Sequence, residues 1–474
     1  MSNIIKADLC VIGAGSGGLT VAAGGSQMGA KVVLIEKGEM GGDCLNYGCV
    51  PSKALLAAGH AAQAMRDAGR FGIAAVEPEI DFAAVKRHVK GVIEDIAPMD
   101  SQARFEGLGV QVIRAAGRFT GPREVEAGGQ RIQARRFVIA TGSSAAIPPI
   151  PGIADVPLLT NETIFDLEMR PDHLIVIGGG PIGVEMAQAH RRLGCRVTVL
   201  EMFGLLGRDD PEAADVVRRQ LLAEGIDIRE GIAIERVGGG AGGITVTVGK
   251  DGTTEDIEGS HLLVAAGRKA NVEGLGLEAA GIAFSPKGIG VDARLRTTNK
   301  RVFAIGDVTG GYQFTHVAGY HGGIVLRNAL FWLPAKARHD AIPWVTYSDP
   351  ELAQVGLTDI QAKEKLGEGI GILRWSFAEN DRANAERKNA GFAKIVTDRK
   401  GRILGATIVG PHAGELILPW VMAVSGKWKI GKMAGVIAPY PTLSEVGKRA
   451  AGSWFAPRLF NDRTKRIVRF LQRF

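Results

Sequence analysis

Cysteine is scarce in this chain, with four in 474 residues. So few thiols exclude a disulfide-stapled extracellular scaffold. They suit a reducing cytosol, where a close cysteine pair is more often redox-active or metal-binding than structural. Aromatic residues are also few, at 6%. No apolar run approaches the ~18 residues that span a bilayer, so no transmembrane helix is expected. The opening MSNIIKADLCVIGAG has no apolar stretch of signal-peptide length ahead of its glycines, and a cytoplasmic location is expected. Acids are missing from one region in particular. From Lys448 onward eight basic side chains face a single acid, Asp462, so the whole formal excess of +7 sits there and the preceding 447 residues balance. The body of the chain therefore lacks the basic character of a nucleic-acid binder.

Glycine is abundant: 66 residues, without a Gly-X-Y period and clustered in short loops. Two of these loops head an internal repeat. Residues 8–36, DLCVIGAGSGGLTVAAGGSQMGAKVVLIE, align without a gap on 173–201, HLIVIGGGPIGVEMAQAHRRLGCRVTVLE, at a constant offset of 165. Each copy reads as strand, G-x-G-x-x-G, helix, second β-branched strand and terminal glutamate, which is the full context of a βαβ dinucleotide fingerprint. The first loop holds Gly13, Ala14, Gly15 and Gly18; the second holds Gly178, Gly180 and Gly183. In each, the first glycine permits a tight turn, the second a close approach to pyrophosphate, and the third close packing of helix on strand. Glu36 and Glu201 can accept hydrogen bonds from a ribose. Two dinucleotide sites in one chain point to electron transfer between two dinucleotides. Glu201 favours NADH, because a carboxylate repels a 2′-phosphate; Arg208 weakens that preference and leaves NADPH open.

The repeat also accounts for two cysteines. Cys10 aligns with Ile175 and Cys195 with Ala30, so both are expected as packing residues at strand positions. Cys44 and Cys49, in GGDCLNYGCVPSKALL, are left to carry chemistry. Pro51 suits the first position of a helix, which would place Cys49 at the helix N-terminus, where the dipole stabilises a thiolate. Lys53 adds positive charge one turn later. A regular helix would hold two Cα atoms five residues apart beyond the ~7 Å limit of a disulfide, so the chain must bend, and Gly48 allows it. A structural zinc site needs four ligands, and neither a second cysteine pair nor a suitably spaced histidine pair is present, so no metal site is expected. The expected reading is a redox dithiol.

GGDCLNYGCVPSK resembles the G-G-x-C-x-N-x-G-C-x-P-S-K motif of class I pyridine nucleotide-disulfide oxidoreductases, which include dihydrolipoamide dehydrogenase, glutathione reductase and mercuric reductase. FVIATGSSAAIPPIPG, LLVAAGRKANVEGLGLE, RVFAIGDVTGG and GFAKIVTDRKGRILGATIVGPHAGELI resemble that family's A-T-G, G-R-x-x-N, second FAD and dimerisation segments. The resemblance implies an α/β fold with two Rossmann-like dinucleotide-binding domains, for FAD and NAD(P), and a C-terminal α+β dimerisation domain. On this reading the FAD domain takes residues 1–150 and 271–341, the NAD(P) domain 151–270, the interface domain 342–457 and a basic tail 458–474. The resemblance further implies FAD on the first repeat, with Thr141 and Gly142 nearby, Asp307 on the ribityl chain and His316 near the isoalloxazine. It implies NAD(P)H on the second repeat, in a domain closed by Gly267. Cys49 would be the flavin-facing thiol and Cys44 the exchange thiol. Lys53 would lie by the flavin, paired with Glu185; the repeat supports this, since Thr20 occupies the matching position in the first copy.

One departure bears on the acceptor. In APYPTLSEVGK, Tyr440 stands where disulfide-reducing members carry a histidine, while Glu445 is kept. Tyrosine is a much poorer base near neutrality. Mercuric reductases share the tyrosine but carry a terminal cysteine pair, and here no cysteine follows Cys195. The expected function is therefore an FAD-dependent NAD(P)H oxidoreductase passing electrons through a Cys44–Cys49 disulfide to a disulfide or soft metal ion. It would be a mercuric-reductase-like core in a homodimer with shared active sites. Dihydrolipoamide dehydrogenase is one alternative, and a membrane-associated electron-transfer or diaphorase module is another. The tail, with Ile467, Phe470, Leu471 and Phe474 at helical spacing among basic residues, is expected to contact a membrane periphery or pack on the dimer.

Overall fold

The computed structural model describes residues 4–240 and 243–474. Its first sheet grows around the strand Ile4–Ile12, whose second half, Leu9 to Ile12, is a continuous apolar run buried on both faces, as the centre of a parallel sheet requires. Val32–Glu36 and then Gln111–Arg114 extend it on one side. On the other side, Gln130–Ile139 runs parallel to Ile4–Ile12, and its residues 137–139 pair in turn with Val302–Ala304. Strands whose paired residues, such as Phe137 and Val302, are 165 positions apart thus share one sheet, and the second βαβ unit is inserted between them.

That inserted unit has its own parallel sheet, ordered Asp227–Glu230, Arg196–Glu201, His173–Ile177 and His261–Val264. An antiparallel three-stranded sheet, Ala233–Gly240, Gly243–Lys250 and Thr253–Gly259, covers it. The C-terminal part is a five-stranded antiparallel sheet, Pro343–Thr346, Glu351–Gly356, Ile403–Gly410, Phe392–Asp398 and Ile370–Ser376, packed against Leu418–Ser425 and Glu445–Ser453. Asp349 is hydrogen-bonded to Gln188, and Lys394 is buried against Asp210 at 2.7 Å, so this sheet is joined to the inserted unit through paired polar groups.

Two helix contacts position the chemistry. Thr315–Leu330 lies against Ser16–Gln27, and a Cβ at Gly24 or Gly322 would come within 2.5 or 2.9 Å of the facing side chain. Only glycine permits that approach, which brings Thr315 to the cysteines. Similarly, Cys49–Asp67 packs on Pro181–Arg192, with Gly59 set against Ala189.

Three expectations are corrected. The helix begins at Cys49, so Pro51 is its third residue; Gly48, at φ −129° and ψ −108°, starts the helix earlier than proline alone suggests. Cys195 lies in the turn before Arg196–Glu201 and not in the strand, although it is fully buried. The tail helix is Asp462–Leu471, capped by Asn461, so Phe474 lies beyond its end. Among the described residues, no helix is long and apolar enough to cross a membrane.

Candidate active site

Both glycine loops open onto one cavity of about 2810 Å3, nearly three times the ~1,000 Å3 at the upper end for a single-ligand pocket. The loops are near copies in detail. Gly13 and Gly178 have φ of +105° and +112°, and a Cβ at either would strike the backbone of the neighbouring strand's end, at Ala140 or Ala265. A Cβ on Gly18 would lie 1.9 Å from the Gly13 carbonyl oxygen, and one on Gly183 would lie 1.9 Å from that of Gly178. The middle glycines behave differently. Gly15 and Gly180, at φ −80° and −76°, have backbones any residue adopts, and a Cβ there would meet no protein atom closer than 4.0 Å. Nothing in the chain requires glycine at those two places. What requires it is a group lying in the cavity against the helix N-terminus, which is where a pyrophosphate binds. The residues present therefore fit two dinucleotides.

The glutamates close the symmetry. Glu36 Oε2 accepts from the Ala14 amide and Oε1 from the Gly38 amide, while Glu201 Oε2 accepts from Gly179 and Oε1 from Phe203. Each carboxylate fixes its own loop and retains lone pairs for a ribose. Elsewhere in the cavity wall, Gly142 and Gly267 take φ of +69° and +123° with open space beside them. Thr141 donates to the Asn271 carbonyl. Burial raises the Asp307 carboxyl, and Ser143, donating at 2.6 Å, opposes that shift. His316 also lines the cavity, with its ring stacked on Phe314 and Nε2 at 2.9 Å from the Pro343 carbonyl; burial lowers its pKa.

Cys44 is carried on the short helix Gly42–Asn46, and Cys49 opens the next helix. The bend between them needs Gly48, where a Cβ would sit 2.9 Å from Asp43 Oδ2. Both thiols are free and both line the cavity. Their protonation is split. The hydrogen bond from Cys44 is the largest influence holding Cys49 down to about 6, aided by the Thr315 hydroxyl at 3.3 Å and by the charge of Lys53. The same hydrogen bond, together with burial, pushes Cys44 up. Near neutrality the dithiol is therefore a Cys49 thiolate with a Cys44 thiol donating to it. By contrast Cys10 and Cys195 are fully buried away from the cavity, and burial pushes both thiols up.

Lys53 Nζ donates to Glu185 Oε2 at 2.8 Å, a carboxylate that is only 7% exposed. Four residues of this centre carry no sequence motif of their own. Thr315 reaches Cys49 from the first turn of a helix 266 positions away. Arg268 ties Asp43, beside Cys44, to Ser143 and so to Asp307. Tyr347 lies under Lys53. Asp43 stands inside the quoted GGDC stretch, Arg268 inside the quoted GRKAN segment and Thr315 next to His316, so all three are within sight of a motif; Tyr347 gives no signal.

Tyr440 and Glu445 are not brought to the cavity of their own chain. Tyr440 is 69% exposed and donates to Asp381 at 3.0 Å, which raises its pKa, and Glu445 begins the helix Glu445–Ser453.

The family model described as "Pyridine nucleotide-disulphide oxidoreductase" matches residues 7–322, and its "dimerisation domain" matches residues 342–451. A mercuric reductase of Streptomyces lividans is 36% identical over 94% of this chain and 95% of its own length. A dihydrolipoyl dehydrogenase of Geobacillus stearothermophilus is 34% identical over 94% and 96%. In structure, the Cu(II) complex of the HOCl-induced flavoprotein disulfide reductase RclA from Escherichia coli superposes with a TM-score of 0.83 at 28% identity, covering 94% of this chain and 99% of that one. With FAD and NAD(P)H as its cofactors and a dimerisation domain that makes it a homodimer, this chain belongs to the pyridine nucleotide-disulfide oxidoreductases.

Proposed function

We propose that the chain is an NADH-dependent dithiol reductase acting on a disulfide or a soft metal ion, with active sites shared across the dimer. The observation that carries this reading is the split pair: a thiolate held at Cys49 and a thiol at Cys44, in one cavity with two dinucleotide loops. Gly13, Gly15, Gly18 and Glu36 would hold FAD and Gly178, Gly180, Gly183 and Glu201 would hold NADH, and these groups would supply the two electrons that return the Cys44–Cys49 disulfide to the dithiol. The remaining steps belong to side chains. Cys44, losing its proton, attacks one sulfur of a disulfide acceptor and expels the other as thiolate, which takes up a proton. Cys49 then attacks Cys44, expels the second acceptor thiolate, which takes a proton from solvent, and restores the internal disulfide, so two electrons leave with two thiols. A soft cation would be chelated by the same two sulfurs. Glu201, beside the second loop, supports NADH over NADPH, with Arg208 in the same cavity wall acting against it.

The shared site is supported by the bare apolar surface of the C-terminal unit. Ile437 is 92% and Leu418 61% exposed, and Leu418 also lines the cavity, so a subunit covering this face reaches the opening. The partner's Tyr440 would then stand near Cys44 as a hydrogen-bond donor and a poor base. Consumption of NADH and NADPH measured against Hg(II), small disulfides, lipoamide and quinones tests the reading. Metal and small-disulfide turnover is expected, with lipoamide turnover low and rising about 100-fold in Tyr440→His. Lipoamide turnover in the unaltered enzyme equal to that of the variant would instead favour a dihydrolipoamide dehydrogenase.

We place this activity in the cytoplasm, at the periphery of an anionic membrane. In the tail helix Ile467, Phe470 and Leu471 are 49%, 57% and 62% exposed, and Lys465, Arg466 and Arg469 flank them. An amphipathic basic helix of this kind lies in a headgroup interface. Deletion of residues 458–474 is expected to abolish co-sedimentation with phosphatidylglycerol vesicles while leaving NADH turnover intact. Unchanged sedimentation, or a shift to monomers, would refute it.

A further inference from the structure

Where the three parts of the chain meet, one residue touches both members of the Lys53–Glu185 pair. Tyr347, at the end of the C-terminal sheet's edge strand, donates its backbone amide to Glu185 Oε1 at 2.9 Å. Its ring lies beneath the Lys53 ammonium, 4.3 Å from nitrogen to ring centre. Lys53 thus has a carboxylate oxygen on one side, a π face on another and the Ser52 hydroxyl at 3.4 Å, and it lines the cavity. The ring is itself held. Gly414 lies so close that a Cβ there would be 3.2 Å from Tyr347 Cε1, and two residues later Asp349 pairs with Gln188, one turn beyond Glu185 on the same helix.

We propose that Tyr347 is a positioning residue that clamps Lys53 from below and, through Lys53, keeps Cys49 a thiolate. Lys53 is 38% exposed on its side chain. With only Glu185 and the longer Ser52 contact at 3.4 Å as anchors, a long ammonium side chain would sample hydrated rotamers that point away from the sulfur. An aromatic face attracts the cation through its quadrupole and removes those rotamers. The hydroxyl is not needed for this; the ring is. The charged groups around the phenol are Glu351, Glu185, Cys49 and Glu415, and those around Cys49 are Cys44, Lys53 and Asp43. Arg268 pairs with Asp43 at 3.1 Å, and Lys53 is the cation whose charge acts on Cys49 itself, so its placement bears directly on the thiolate.

The inference rests on Cys49 being the flavin-facing thiol, and the test separates the two. In the reduced holoenzyme, the long-wavelength absorbance of thiolate against oxidised flavin is titrated with pH. It is expected to fade in the wild type as pH falls through about 6. Tyr347→Leu, which keeps bulk without a π face, and Tyr347→Ala are each expected to raise the midpoint by about half a pH unit, the size of a partly exposed cation–π contact. Tyr347→Phe is expected to retain the wild-type midpoint. In a Lys53→Met background, Tyr347→Leu is expected to add nothing, since it acts through the ammonium. A Leu variant with the wild-type midpoint, a Phe variant as shifted as Leu, or additive shifts in the double variant would each overturn the clamp. Absence of the band from every form, the wild type included, would overturn both the clamp and the assignment of Cys49.

Discussion

Cys44→Ser is expected to give a protein that shows the long-wavelength thiolate–flavin absorbance as purified, without added reductant, and that has lost turnover of disulfides and soft metals by on the order of 10^3 or more. Both effects follow from the split pair. Without a second sulfur, Cys49 has no internal disulfide to enter and stays a thiolate whatever the redox state of the sample. A serine hydroxyl still donates a hydrogen bond where the Cys44 thiol did, so the largest influence lowering the Cys49 pKa is kept, together with Thr315 and Lys53. What is lost is the electron balance: one sulfur cannot surrender two electrons to an acceptor. Stopped-flow absorbance and acceptor-dependent NADH consumption read the two effects separately. Retention of disulfide or metal turnover would mean that electrons leave by another route. Quinone reduction surviving alone would favour the diaphorase alternative.

The second large effect comes from the third glycine of each loop. Gly18→Ala and Gly183→Ala introduce the same collision, a Cβ 1.9 Å from the carbonyl oxygen of the first glycine in the loop. The helix must be pushed off its strand, at a cost of about 1–3 kcal/mol in packing, and the loop amides are displaced from the phosphates they face. The consequences differ because the two sites hold different partners. Gly18→Ala should be purified colourless, without flavin. Gly183→Ala should stay yellow and be reduced normally by dithionite, yet lose NADH oxidation by at least about 100-fold. The reverse pattern would exchange the assignment of the two repeats.

The two loops are legible in the sequence because their chemistry is local. Three glycines and a glutamate at fixed spacing dictate both backbone and ligand, and the offset of 165 doubles the signal. The Lys53–Glu185 pair is legible for a subtler reason, since the second copy puts an acid where the first has Thr20. Thr315, Arg268 and Tyr347 are not legible in this way. Each arrives from a different segment, 266, 225 and 294 positions beyond Cys49, 43 and 53 respectively, and meets its partner only because helices and sheets pack. The helix start at Cys49 in place of Pro51 depends on the backbone of Gly48, which no propensity scale anticipates. Tyr440 and Glu445 stand outside their own cavity, within the residues matched by the dimerisation-domain model, so nothing inside one chain brings them to the thiols.

The carboxylates at the strand ends have a consequence for altering coenzyme preference. Glu201 binds the amides of Gly179 and Phe203 before any ribose arrives. Exchanging it for a neutral or basic residue to admit a phosphorylated nucleotide would also release the turn that cradles the pyrophosphate. A redesign toward NADPH must therefore supply a new acceptor for those two amides, or affinity for both nucleotides falls together.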